Sequence, residues 1–130
     1  MKINEMKSFT ILFLAFTFLL FSCSKLQAVK VKFTNKTGQK LTHLTIGNKN
    51  IGRLNPNETS RTYLFNEITF DSGELTEKIK ATINGEEFTG MYSPGFCATG
   101  IVHYESGQFE VEIYSLEGNS KSCLRMIKKP

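Results

Sequence analysis

The sequence predicts an all-β domain, an antiparallel β-sandwich, behind an apolar N-terminal segment. Three observations predict it. Apolar and polar residues alternate over short runs, the pattern of strands with one wet face. Gly, Asn, Pro and Asp clusters punctuate those runs at intervals of about 8–12 residues. After residue 28 no stretch carries apolar residues at helical spacing.

The N-terminal segment comes first. Met1 to Ser8 carries Lys2 and Lys7 against Glu5, and Phe9 to Phe21 is apolar apart from Thr10 and Thr17. Ser22 and Cys23 end the run. A basic start, a short apolar stretch and a small residue make a secretory signal peptide, expected as a helix. The stretch falls short of the ~20 residues that span a bilayer. Leu20-Phe21-Ser22-Cys23 resembles the lipobox of bacterial lipoproteins. That resemblance implies cleavage before Cys23, a diacylglycerol thioether on its sulfur and an N-acyl chain. Two or more chains give stable anchoring, since each buried methylene contributes about 0.8 kcal/mol. The expected organisation is a signal over residues 1–22, a tether over 23–28 and a sandwich over 29–130. Ser24-Lys25-Leu26-Gln27 lacks the acidic run that in some Bacteroidetes lipoproteins marks surface export.

Val29-Lys30-Val31-Lys32-Phe33 alternates strictly and reads as the first strand. Asn35 to Gly38 is a turn cluster, and Leu41 to Ile46 is a second strand. Gly47 to Asn50 turns the chain into a short third strand, Ile51 to Leu54. Asn55-Pro56-Asn57-Glu58 reverses it again, because Pro and Asn accept the backbone angles of a turn. Arg61 to Phe65 is a fourth strand, continued past a bulge by Ile68 to Phe70, and Asp71-Ser72-Gly73 ends it. Glu77 to Ile83 places Ile79, Ala81 and Ile83 on one face. Asn84-Gly85 is the strongest two-residue hairpin signal, because both residues tolerate positive φ, and Glu86 to Thr89 returns. Ile101 to Glu105 and Gln108 to Tyr114, joined by Ser106-Gly107, read as a second hairpin with Phe109, Val111 and Ile113 inward. Ser122 to Ile127 closes the series. Short strands at this spacing suit an immunoglobulin-like arrangement.

With Cys23 given to lipid, Cys97 and Cys123 form an even pair in an exported, oxidising compartment. A disulfide between them closes a loop of about 27 residues, worth roughly 3.5 kcal/mol in the chain-entropy model. Two separate buried thiols are the alternative. No CxxC or HxxxH accompanies them, so no metal site is expected.

Charge is segregated along the chain, whose net charge is +4. Residues 23–61 hold eight Lys/Arg and one acid, Glu58. Residues 62–117 hold ten acids against Lys78 and Lys80. Residues 118–130 add Lys121, Arg125, Lys128 and Lys129. The blocks either form a basic face near a membrane or are the solvent rows of alternating strands. Stacking aromatics are not interleaved with the basic residues, so nucleic acid is not an expected partner.

Catalytic chemistry has few carriers. His43 and His103 alone titrate near neutrality unperturbed, and each lies within a predicted strand. Asp71 is the single aspartate and sits in a turn signal. GxSxG, HExxH, P-loop and GxGxxG motifs are absent. Glu86-Glu87 are adjacent strand residues, so they point to opposite faces and cannot flank one glycosidic bond. No catalytic residue and no cofactor is therefore expected. Two loops could carry recognition. Phe88 to Gly100 contains the candidate partner-binding residues Met91, Tyr92 and Phe96, or the same aromatics plug the end of the core. The Gly47–Arg53 turn offers Asn48, Lys49, Asn50 and Arg53.

Phe33-Thr34-Asn35 with Thr37-Gly38, then Ile46-Gly47 and Ile51-Gly52-Arg53-Leu54, resemble small Bacteroidetes lipoproteins of uncharacterised role. The resemblance implies no activity. The expectation is a non-enzymatic envelope module, anchored through Cys23 to the outer membrane on its periplasmic side, with a protein or glycan partner. A periplasmic immunity protein against a delivered toxin is the second expectation, and a small hydrolase is the third.

Overall fold

The computed structural model describes residues 27–90, 100–116 and 123–130. The expected signal helix, Cys23, Met91, Tyr92, Phe96 and Cys97 lie outside them. The described residues form eleven strands and no helix. They are β1 (Val29–Asn35), β2 (Leu41–Ile46), β3 (Lys49–Leu54), β4 (Tyr63–Phe65), β5 (Ile68–Asp71), β6 (Glu74–Leu75), β7 (Ile79–Ile83), β8 (Glu86–Gly90), β9 (Ile101–Tyr104), β10 (Gly107–Leu116) and β11 (Cys123–Lys128). They assemble into two sheets, a seven-stranded one ordered β4-β1-β10-β11-β6-β5-β9 and a four-stranded one ordered β3-β2-β7-β8.

The alternation read from the sequence sets the faces. Val29, Val31 and Phe33 are buried, while Lys30 and Lys32 are exposed. Ile79, Ala81 and Ile83 are buried, as are Val111 and Ile113. Both sheets contribute to one hydrophobic cluster, in which Phe33 meets Phe65 edge-on at 6.2 Å. Where the apolar spacing breaks from two, the backbone follows it. Leu41 and Leu44 are three apart and both fully buried, which a regular pleat cannot achieve. An extra residue in β2 resolves the conflict. The register shifts between Leu41 and Leu44, and exposed His43 takes a positive φ of 48°. A compensating shift follows in β3 beside Gly52, at φ 88°.

Four expectations are corrected. The sheets are not wholly antiparallel: β1 runs parallel to β10, with Val29 opposite Gly107 and Asn35 opposite Ile113. Only a short connection forces neighbours to be antiparallel, and β1 and β10 are far apart in sequence. The predicted hairpin of Ile101–Glu105 with Gln108–Tyr114 does not form. β9 pairs with β5, and β10 is flanked by β1 and β11. The physical reason is burial. β10 carries Val111 and Ile113 and needs a neighbour on each side, whereas β9 is largely exposed and occupies a sheet edge. Ile68–Phe70 does not continue β4. It starts β5, which stands five places from β4 in the sheet. Asp71-Ser72-Gly73 does not end a segment but turns it. Ser72 at φ 50° and Gly73 at φ 86° make a tight hairpin into β6.

The β4–β5 connection also shows that the larger sheet rolls. Phe65 and Ile68 are three residues apart and can be at most about 11 Å apart. Five strand spacings in a flat sheet would cover about 24 Å. The β5–β9 end therefore folds back over the start of β10. Aromatic rings fill that fold: Tyr104 lies 4.6 Å from Phe109, and Phe70 lies 5.5 Å from Phe109. Lys128 Nζ sits 5.7 Å from the Phe70 ring centre.

Candidate functional site

The rolled fold decides where the charges meet. On the outer face of the larger sheet the segregated blocks of the sequence are laid side by side. Basic β1 lies against acidic β10, with Lys32 opposite Glu110. Acidic β10 lies against basic β11, and Lys129 Nζ reaches Glu110 at 3.0 Å. Basic β11 lies against β6, where Arg125 grips Glu74 through Nε at 3.1 Å and Nη2 at 2.6 Å. Glu74 holds the Arg125 guanidinium above its ordinary value, by that hydrogen bond first. Glu112 accepts the Tyr114 hydroxyl, and this raises the phenol. On this face the charges are solvent rows of alternating strands, with each sign facing the other. A groove of about 630 Å³ lined by Lys30, Lys32, Thr62 and Gln108 has Glu110 on its far side.

Two arginines lie together elsewhere. A second cleft, of about 450 Å³, lies between the free edge of β3 and the Glu58–Tyr63 segment that leads into β4. Arg53 and Arg61 line it, together with Asn50. The Arg61 guanidinium lies 4.9 Å over the ring of Tyr63. Tyr63 in turn donates its hydroxyl to the Ile51 carbonyl at 3.4 Å, which ties the two sheets together at the cleft floor. Among the described residues Glu58 is the one acid of the lining, and its Oε2 accepts the Asn55 N–H at 2.7 Å. Among the described residues neither arginine lies within ion-pair distance of a carboxylate.

One buried polar side chain shapes this region. Asn35 is fully buried at the end of β1. Its Nδ2 donates to the carbonyls of Gln39 at 2.6 Å and Leu54 at 3.0 Å. Its Oδ1 accepts the Thr37 N–H at 3.0 Å and the Thr37 hydroxyl at 2.7 Å. Its backbone accepts the Asn57 N–H and donates to Glu58. Asn35 thereby fixes the end of β3 and the turn before Arg61 relative to each other.

The structure separates the histidines. His43 is exposed on the bulge of β2, in the smaller sheet. His103 is exposed on β9, in the larger sheet, with Nδ1 2.7 Å from the Thr69 hydroxyl. Neither lines the grooves described above. Asp71 is buried and accepts the Ser72 hydroxyl at 3.1 Å. Glu87 pairs with Lys80 at 3.0 Å. No three His, Cys, Asp or Glu side chains cluster at metal-binding distance among the described residues. Cys123 is a half-buried thiol whose Sγ lies 3.6 Å from the Leu124 carbonyl. No disulfide is present among the described residues, and Cys97 lies outside them. The loop residues Met91, Tyr92 and Phe96 also lie outside them.

Of the Gly47–Arg53 turn singled out in the sequence, Asn50 and Arg53 reach the cleft. Arg61 and Tyr63 are the residues sequence reasoning missed. Their signal was faint: an Arg two residues before a Tyr in a strand puts both on one side. Comparison with known proteins finds no family model, no curated protein and no solved structure that matches this chain.

Proposed function

We propose that this protein is a lipid-anchored cell-envelope module whose work is binding rather than catalysis. In this reading Cys23 carries the lipid, at a bacterial outer membrane facing the periplasm. The two sheets pack as a β-sandwich of immunoglobulin-like type, modified by the parallel β1–β10 pair, and Cys97 bonds to Cys123 after export. One core shared by both sheets supports the sandwich. The observation that carries the binding role is the β3–β4 cleft, where two arginines lack a carboxylate partner among the described residues. Both are exposed, and arginine is a favoured contact residue because its planar fork makes directed hydrogen bonds.

Metabolic labelling with a fatty acid tests the anchor. Cys23→Ala is expected to abolish labelling and to leave the protein uncleaved or soluble; persistent labelling overturns the address. Crosslinked pull-down from native membranes tests the binding role, with Arg53→Ser and Arg61→Ser expected to lose the partner. Alkylation of unfolded, unreduced protein tests the bridge: a bonded pair labels at neither Cys97 nor Cys123.

A further inference from the structure

We propose that the β3–β4 cleft binds an acidic polypeptide segment in extended conformation, with Arg53 and Arg61 taking its carboxylates. This rests on the reading of the protein as a binding module and adds the chemistry of the partner.

Charge is the first argument. The basic block of residues 23–61 is divided by the fold. Lys32 stands opposite Glu110 and Lys30 opposite Gln108 on β10, while Arg53 and Arg61 line the cleft. The one carboxylate of the lining among the described residues, Glu58, accepts the Asn55 N–H. A guanidinium fork matches a carboxylate with two parallel hydrogen bonds. Stacking on Tyr63 restrains Arg61, so less freedom is lost when it binds.

The second argument is the backbone. Among the described strands β3 is paired with β2 on one side only. Its Ile51 and Leu54 carbonyls are held by Tyr63 and Asn35, and the rest of its open edge is where an extended peptide adds as a further strand. Gly52, next to Arg53, has open space where a side chain would stand, which leaves room for an approaching main chain.

The third argument concerns the competing occupant. A neutral sugar would need an open aromatic face. Tyr63 has Arg61 over its ring and Phe33 at 6.3 Å, so it offers none.

The test uses the full-length protein in detergent micelles and fluorescence anisotropy with a labelled poly-glutamate peptide of about ten residues. Poly-glutamine of the same length and a heparin fragment are the comparison probes. Poly-glutamate is expected to bind, and poly-glutamine is not. Arg53→Ser and Arg61→Ser should each weaken binding about ten-fold, the double variant should abolish it, and added salt should weaken it. Lys80→Ser, on β7 and outside the cleft lining, should leave it unchanged. Arg61→Lys keeps the charge without the fork and should fall between. Circular-dichroism melts confirm that each variant folds. Equal binding of both peptides, binding indifferent to the arginines, or arginine-dependent preference for heparin overturns the proposal. Cys23 labelling is read on the same preparations. Lost peptide binding with retained labelling sinks the cleft alone, and the reverse sinks the anchor alone.

Discussion

The Asn35 side-chain amide donates to the main-chain carbonyl of Leu54 at 3.0 Å, joining the end of the first strand in one sheet to the end of β3 in the other. Both residues are buried, so water cannot replace the bond. A buried acceptor left unsatisfied costs about 1–3 kcal/mol. The turn at Thr37 and Gln39 hangs on the same side chain but is exposed, so its groups recover partners from solvent.

Asn35→Ala should therefore destabilise the protein by about 2–3 kcal/mol, measured as a shift in the urea midpoint with unchanged slope. Asn35→Asp should be worse at neutral pH, because a carboxylate would face two carbonyl oxygens. Such a carboxyl is favoured neutral, so its folded pKa lies above the unfolded one. Its stability is present at low pH and lost as pH rises through the folded pKa. A variant that is instead most stable at neutral pH would contradict the assigned contacts.

Gly90 sets how closely the sheets approach. A Cβ there would meet the Leu124 carbonyl oxygen at 2.1 Å and Ile79 Cγ2 at 2.6 Å. The first of these is backbone and cannot step aside. Gly90→Ala should cost about 1–3 kcal/mol, and Gly90→Val more. Gly38→Ala, with open space around it, should show only the smaller penalty of its positive φ. Equal losses at the two sites in thermal melts would count against the close approach of β8 and β11.

His43 occupies its bulge at φ 48° with an exposed side chain. A non-glycine residue in that region carries about 1 kcal/mol of strain. His43→Gly should relieve it and leave stability unchanged or raised by up to about 1 kcal/mol, the gain offset by glycine's larger unfolded-state entropy. His43→Val, β-branched, should lose stability. Denaturant unfolding of the pair gives the sign.

The Arg125–Glu74 pair joins β11 to β6, two strands that share one register pair, Ile127 with Glu74. Both side chains are partly exposed, so Glu74→Gln should cost no more than about 1 kcal/mol despite the two-point grip. The pH sign follows from Arg125, which the Glu74 hydrogen bond holds above its ordinary value. A raised cationic group stabilises fully below its unfolded value and loses that contribution only as pH climbs through the folded one. The arginine side of this pair should therefore contribute no pH dependence between about pH 6 and 10. Titrated melts of the parent and Glu74→Gln check it: a gap between them that narrows across that window would contradict the assignment.

Which residues go inside was legible in the periodicity of the chain. Val29, Val31 and Phe33, Ile79, Ala81 and Ile83, and Val111 and Ile113 are buried as their period-two spacing requires. The Asn84-Gly85 hairpin was legible because its geometry needs only those two residues, found at φ 51° and 82°. Local chemistry sufficed in each case. Which strand stands beside which depended on packing between segments far apart in the chain. Ser106-Gly107 looked like a hairpin turn, yet β9 pairs with β5, because the buried side chains of β10 gain more from two flanking strands than from one exposed partner. Charge followed the same division. The sequence carries basic ends and an acidic middle, and strand pairing interleaves them across the larger sheet. Arg53 and Arg61, without an ion-pair partner among the described residues, reach the β3–β4 cleft from segments brought together by Asn35 and by the Tyr63–Ile51 bond. Those are contacts between side chain and distant backbone, for which sequence spacing holds no periodic signal.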